Sequence, residues 1–348
     1  MNLGRMNRSI TKRLFFAPLS PKTMTITLGT FCSGTDAPIF ALRQADIPHR
    51  HVFSAENNPH ARTFIQANCS PEHLYADVTA LDADTVPRVD LFICGPPCQG
   101  YSKMNRARLT PDATETPIAV LKACLRYIIQ KRPAVAVLEN VIAFERLYHL
   151  DAVTDESTAF EKIWIETVAP LFAAIRIAYS IQLLCLNPRM HANCPHNRPR
   201  VFLVMRPLDA SPLCIPRIPL TVSYESLLEE TPDGAEIEIA AWEEDVFRRA
   251  RQRMGHSWKA CVSANVAGKA ILSNNLRSNP FANCLIAGRP SVVTARNRRV
   301  SRIEMLRLQG FPADVRVDVM SYSEFVRLMG NAINVGVLTK LFEAIYAH

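Results

Sequence analysis

Residues 92–103 read FICGPPCQGYSK, with Cys98 behind two prolines where an apolar run ends. A thiolate is strongly nucleophilic and adds reversibly, so Cys98 is a candidate for covalent catalysis. Cysteine is also a common core residue, and Pro-Pro is an ordinary loop corner. The dodecamer alone leaves both readings open. Groups able to support such a nucleophile stand elsewhere in the chain: the carboxylates of Glu56, Asp77 and Glu139, and the guanidiniums of Arg198 and Arg200. Each taken singly could be no more than a polar residue that stops a strand.

The elements around these residues decide whether they can meet. TMTITLGTFCSG is β-branched and apolar and breaks at Ser33-Gly34; APIFALRQADI follows with helical spacing and Pro38 in its first turn. HRHVFSAEN predicts a second strand ending at Glu56, and PHARTFIQAN a second helix. LYADV and VDLFICG predict further strands, and PIAVLKACLRYIIQK a helix before the strand PAVAVLEN. Such alternation predicts a doubly wound, mostly parallel α/β sheet, with YSIQLLCLN and RVFLVMR as an antiparallel pair at one edge. In open sheets of this kind ligands bind beyond the carboxyl ends of the strands. Gly34, Glu56, Asp77, Cys98 and Glu139 then follow or end successive strands, and Arg198 and Arg200 open a later one.

The chain has 348 residues, 48% of them hydrophobic, enough for a large core. Its net charge of +8 favours a polyanionic partner. Ten irregularly spaced cysteines argue against a disulfide framework and for an intracellular setting, either a bacterial cytoplasm or a nucleus. No apolar run is long enough to span a membrane. Residues 1–23 carry Arg5, Arg8, Lys12, Arg13 and Lys22 and no acid, which fits a flexible basic leader. Its readings are a transit peptide, a nucleic-acid-binding arm, or sequence upstream of a start at Met24. Residues 24–206 read as the sheet domain, 207–298 as a smaller proline-rich domain, and 299–348 as helices returning to the first.

GPPCQGYS, LENV, PHNRPRVFLV, RLQGFP and GNAINVGV stand in this order along the chain. In these motifs and their order it resembles the cytosine-C5 DNA methyltransferases, S-adenosylmethionine-dependent enzymes with a Rossmann-like fold and a smaller target-recognition domain. The resemblance implies that Cys98 adds to C6 of cytosine, that Glu139 donates to N3, and that Arg200 holds O2 while Arg198 helps orient the ring. It places the cofactor against Cys32, Ser33, Gly34 and Thr35, against Glu56 and Asn57, and against Asp77 and Val78. Pro96, Asn331 and Ala332 complete that implied pocket. Glu56 would meet the ribose hydroxyls and Asp77 the adenine amine. Two departures stand out. FCSGTDAP carries Asp36 and Ala37 where the family has glycines, so Asp36 would either repel the methionine carboxylate or cap the next helix. His196 replaces the usual glutamine before the two arginines.

Duplex DNA is the implied partner, with a flipped base, no membrane, no metal and a monomeric enzyme. The stretch SKMNRARLTPDATETP, with Lys103, Arg106 and Arg108, reads as a closing lid or a solvated loop. FRRARQRMGHSWK reads as a DNA-facing basic cluster with Trp258, or as a solvated helix. His191, Cys194, His196 and Cys185 fit no standard zinc spacing. Cys32, Cys69, Cys94 and Cys124 also suit apolar core faces. Rival functions are methylation of tRNA by a member of the same family and a catalytically inactive DNA-binding relative.

Overall fold

A computed structural model describes residues 25–82, 84–98, 111–154, 157–230, 232, 234, 237–254, 264–267, 270–271, 281–293 and 296–347. The chain opens with β1 (Ile26–Phe31), α1 (Ala37–Gln44), β2 (His49–Ala55), α2 (Pro59–Asn68), β3 (His73–Tyr75) and β4 (Leu91–Cys94). It continues through α3 (Pro111–Lys131), β5 (Val135–Val141), α4 (Ala143–Tyr148), α5 (Ala159–Thr167), α6 (Ala169–Arg176), β6 (Tyr179–Leu186), the single turn α7 (Pro188–His191) and β7 (Arg200–Pro207). These seven strands form one sheet in the order β3-β2-β1-β4-β5-β7-β6. The first five run parallel, while β7 is antiparallel to both β5 and β6. The doubly wound sheet with an antiparallel edge is therefore present.

Alternation along the strands builds two cores. Leu91 and Ile93 of β4, Val135 and Val137 of β5, and Phe202 and Val204 of β7 face one side. Phe92 and Cys94, Ala136 and Leu138, and Val201, Leu203 and Met205 face the other, where Trp164 and Phe172 of α5 and α6 pack. Strands buried on both faces are what helices on both sides of a parallel sheet require. Neither α5 nor α6 was evident in the reading of the chain. Yet Thr158 and Glu161 form a reciprocal capping box at the start of α5, a pattern visible in the sequence.

Two expectations are adjusted. Glu139 does not end its strand, because antiparallel pairing carries β5 on to Val141 opposite Arg200. Residues 111–117 of the expected lid are the first turns of α3, with Pro111 at its start and Pro117 inside. The rest of that stretch, including Lys103, Arg106 and Arg108, lies outside the described residues. So does Trp258.

The later chain comprises α8 (Ala241–Met254), β8 (Ala264–Ala267), β9 (Ala270–Ile271), β10 (Ser291–Val293), β11 (Arg298–Arg299), α9 (Arg302–Gln309), α10 (Tyr322–Asn331) and α11 (Val335–Ile345). The four strands form a second sheet in the order β11-β10-β8-β9. Among the described residues, Leu213, Tyr224, Leu228, Leu285 and Val293 join the same core cluster as α9, α10 and α11, and α11 packs on α1. No described helix is long and apolar enough to cross a membrane.

Candidate active site

The order of the sheet reverses between β1 and β4, and a cavity of about 350 Å³ opens beyond their carboxyl ends. Cys98, Glu139, Arg198 and Arg200 line it, together with Cys32, Gly34, Glu56, Asn57, Asp77, Val78, Pro96 and Asn331. Residues as far apart in sequence as Cys32 and Asn331 thus share one space.

One wall belongs to β1 and β2. The turn after β1 holds Cys32, Gly34 and Asp36 all at left-handed φ, near +50°. Gly34 is the residue type that tolerates such a φ at least cost. Its N–H donates to Glu56 Oε2 at 2.8 Å, and the Asn58 N–H donates to Oε1 at 2.9 Å. Burial pushes the Glu56 carboxyl up, and the two N–H groups oppose it. Each carboxylate oxygen keeps lone-pair capacity for a ligand hydroxyl. Asp77 is exposed and accepts from the N–H and hydroxyl of Thr79, while Val78 beside it is buried.

Asp36 neither caps α1 nor faces the cavity. It is fully buried and makes no side-chain cap bond. Thr30 Oγ1 donates to one of its oxygens and Ser54 Oγ to the other, both at 2.6 Å, and His51 Nε2 stands 3.6 Å away. The carboxylate has turned under the loop, where β1 and β2 supply donors that sequence spacing does not reveal. Ser33, Thr35 and Ala332 also stand behind the wall. Ser33 Oγ donates to the Ala55 carbonyl, Thr35 is buried, and the Ala332 carbonyl accepts from Arg198.

The opposite wall belongs to β4, β5 and β7. Asn140 Nδ2 donates to the Pro96 carbonyl at 3.1 Å, fixing the Pro-Pro corner before Cys98. Glu139 is 8% exposed, and its Oε1 lies 3.3 Å from Arg200 Nε. Burial pushes its carboxyl up, and Arg200 and Arg198 pull the other way. Burial also raises the Cys98 thiol, helped by Glu139 and opposed by the same two arginines. Arg198 is 2% exposed, and its guanidinium donates to the carbonyls of Leu285, Gly330 and Ala332 and to Cys284 Sγ. It braces two backbone segments around the cavity, 284–285 and 330–332. A Cβ on Gly330 would come within 2.2 Å of the Ala287 nitrogen, so this close approach needs glycine.

His196 is buried, with Nδ1 on the Leu308 carbonyl and Nε2 accepting the Leu285 N–H. It therefore occupies its glutamine-like place as a neutral ring joining two loops. Among the described residues no group of three or more His, Cys, Asp or Glu is gathered to hold a metal. Asn58, Asn140 and Cys284 escaped the sequence reading. Asn58 and Asn140 at least adjoin the glutamates that were picked out; Cys284 carries no local signal.

A sequence model of the C-5 cytosine-specific DNA methylases matches residues 27–347. The type II methyltransferase M.NgoBI of Neisseria gonorrhoeae is 27% identical over 290 residues, covering 83% of each chain. DNA (cytosine-5-)-methyltransferase DMT5 of Cryptococcus neoformans is 24% identical over 68% of this chain and 10% of its own. The crystal structure of S. pombe Dnmt2 methyltransferase superposes with a TM-score of 0.64 at 18% identity, covering 92% of this chain and 98% of that one.

Proposed function

Because the chain belongs to the C-5 cytosine-specific DNA methylase family and is a DNA (cytosine-5-)-methyltransferase, we propose that it works through a covalent adduct on Cys98. The observation that carries this reading is the buried Glu139–Arg200 pair, 3.3 Å apart, in one cavity with Cys98.

C5 of cytosine is a weak nucleophile. Addition of the Cys98 thiolate to C6 drives electron density to C5 and builds negative charge toward N3 and O2. Glu139, whose burial favours the protonated form, donates that proton to N3. Arg200 meets O2, and Arg198 keeps the surrounding loops in register. After methylation the C5 proton passes to solvent, the C6–S bond breaks to release the Cys98 thiolate, and the N3 proton returns to Glu139. The Pro-Pro corner, tied down by Asn140, keeps the sulfur where addition can occur.

S-adenosylmethionine, when bound, supplies a sulfonium methyl for C5. The β1–β2 wall suits it: Glu56 has acceptor capacity for ribose hydroxyls, and Asp77 beside buried Val78 suits an adenine edge. A cation is also welcome beside Glu56 and Asp77. Asn57, Pro96 and Asn331 close the space. The substrate is duplex DNA with the target base turned out of the stack, since C6 is hidden inside it. Residues 207–298 select the sequence to be methylated, as a target-recognition piece carried by the sheet domain. M.NgoBI and its type II kin make a restriction–modification setting the natural one.

The test uses duplexes carrying 5-fluorocytosine, which cannot lose its C5 substituent as a proton. With S-adenosylmethionine the wild type should form a denaturation-resistant complex. Cys98→Ser should form none and should methylate nothing, while still binding DNA. Turnover by Cys98→Ser, or no adduct on a site that is otherwise methylated, removes Cys98 from the chemistry.

A further inference from the structure

Cys284 sits in the segment leading into β10, and its sulfur reaches the base-side wall. Sγ accepts from Arg198 Nη1 at 3.2 Å and from Arg200 Nη2 at 3.8 Å. The Leu285 carbonyl, 3.4 Å from the sulfur, already accepts from Arg198 at 3.0 Å. Two cationic donors therefore converge on a sulfur placed to accept.

Charge balance gives this convergence a purpose. Arg198 is buried and the Arg200 side chain is 17% exposed, and among the described residues Glu139 is the carboxylate facing them. The proposed chemistry asks Glu139 to carry a proton, which would leave two buried cations with no carboxylate opposite. A buried cation without a counter-charge is costly. His196, the other titratable group against Cys284, cannot help, because its two ring nitrogens are engaged as those of a neutral imidazole.

We propose that Cys284 is a positioning residue of the base site, an anionic sulfur that keeps Arg198 and Arg200 paired while Glu139 holds its proton. The proposal rests on the reading of Glu139 and Arg200 given above. Burial alone would raise the thiol, but the guanidiniums of Arg198 and Arg200 pull it below the ordinary thiol range. Cys98, by contrast, is held above that range. The site thus carries two sulfurs with opposite tasks, one as counter-ion and one as nucleophile.

Cys284→Ser keeps the size and removes the anion; Cys284→Asp keeps an anion. The serine variant should lose kcat by about tenfold or more, the equivalent of one charge-assisted hydrogen bond, with both KM values unchanged. Its kcat–pH profile should move to lower pH, because losing an anion eases ionisation of both Glu139 and Cys98. Aspartate should return both properties toward wild type. The ultraviolet difference between wild type and Cys284→Ser at neutral pH should show a thiolate. A serine variant with wild-type kcat and profile, or no thiolate in the difference spectrum, overturns the proposal. So does a loss that aspartate fails to restore, which assigns Cys284 a steric role. If the wild type forms no adduct with 5-fluorocytosine DNA, the base-site reading fails instead, and the difference spectrum still reports the charge of Cys284.

Discussion

On the β1–β2 side of the cavity, the carboxylate of Glu56 is held by backbone N–H groups and that of Asp77 by Thr79. On the β4–β5–β7 side, the carboxylate of Glu139 and the sulfur of Cys284 are met by guanidiniums. Burial raises both Glu56 and Glu139, yet only Glu139 has cations beside it. The first wall is acidic with neutral donors, an environment for hydroxyl groups and positive charge. The second is cationic with an acid that can be neutralised, an environment for a ring that becomes negative during reaction. One fold end thus offers opposite potentials a few residues apart, because different strands deliver the charges.

The comparison breaks most severely if the acid is removed from the cationic wall. Glu139→Gln should lower kcat by roughly 10²–10⁴, the usual worth of a positioned proton donor. The pH profile sharpens the point. The wild type needs Cys98 ionised and Glu139 protonated, one proton between two raised groups, so kcat should be bell-shaped. In the glutamine variant only the thiolate is required, so kcat should rise with pH through the Cys98 ionisation and show no descending limb. A bell preserved in Glu139→Gln would mean that another group supplies the proton.

The first wall yields a smaller effect, measured as binding rather than rate. Glu56→Ala should weaken S-adenosylmethionine by about 1–3 kcal/mol, the worth of charge-assisted hydrogen bonds to ribose. Asp77→Ala should cost less than Glu56→Ala, because Asp77 is exposed and water competes for its acceptors. Calorimetry giving equal affinity for wild type and both variants would refute the assignment of this wall.

Strand ends were legible because apolar runs stop at polar residues, and in a parallel sheet those stops fall on one edge. Hence Gly34, Glu56 and Cys98 could be gathered from sequence, and Glu139 with them although β5 runs on to Val141. What was not legible depends on pairs brought together across the fold. Cys284 gains its character from Arg198 and Arg200, more than eighty residues earlier. Arg198 looked like a group for the ring, but the carbonyls of Leu285, Gly330 and Ala332 take most of its donors. Asp36 read either as a charge against the methionine carboxylate or as a helix cap, yet its partners lie on β1 and β2. That misreading can be tested. Asp36→Gly restores the residue usual in the family and relieves a left-handed φ, but removes the buried acceptor of Thr30 and Ser54, leaving their hydroxyls only Ser33 and His51. It should destabilise the fold by about 1–3 kcal/mol in denaturant titrations. A stabilised variant would show that the φ strain outweighs the buried network.

The weakest expected effect lies away from both walls, on α8. Arg248 and Arg249 are exposed and both pair with Asp245 on the same helix. Surface pairs of this kind contribute little, so a phosphate can displace Asp245 readily. The side chains of Arg251 and Arg253 lie outside the described residues. If this helix meets the DNA backbone, neutralising all four arginines should flatten the salt dependence of binding by up to about 0.9 log–log units per lost contact. Asp245→Asn should act in the opposite sense, steepening the slope by freeing two guanidiniums for phosphates. Neither change should alter which cytosine is methylated, since phosphate contacts position a protein without reading bases. Titrations at several salt concentrations measure the slope, and bisulfite sequencing of methylated plasmid measures the choice of site. A changed target sequence in the arginine variant would make α8 a reader of bases, and an unchanged slope in both variants would remove it from the DNA interface.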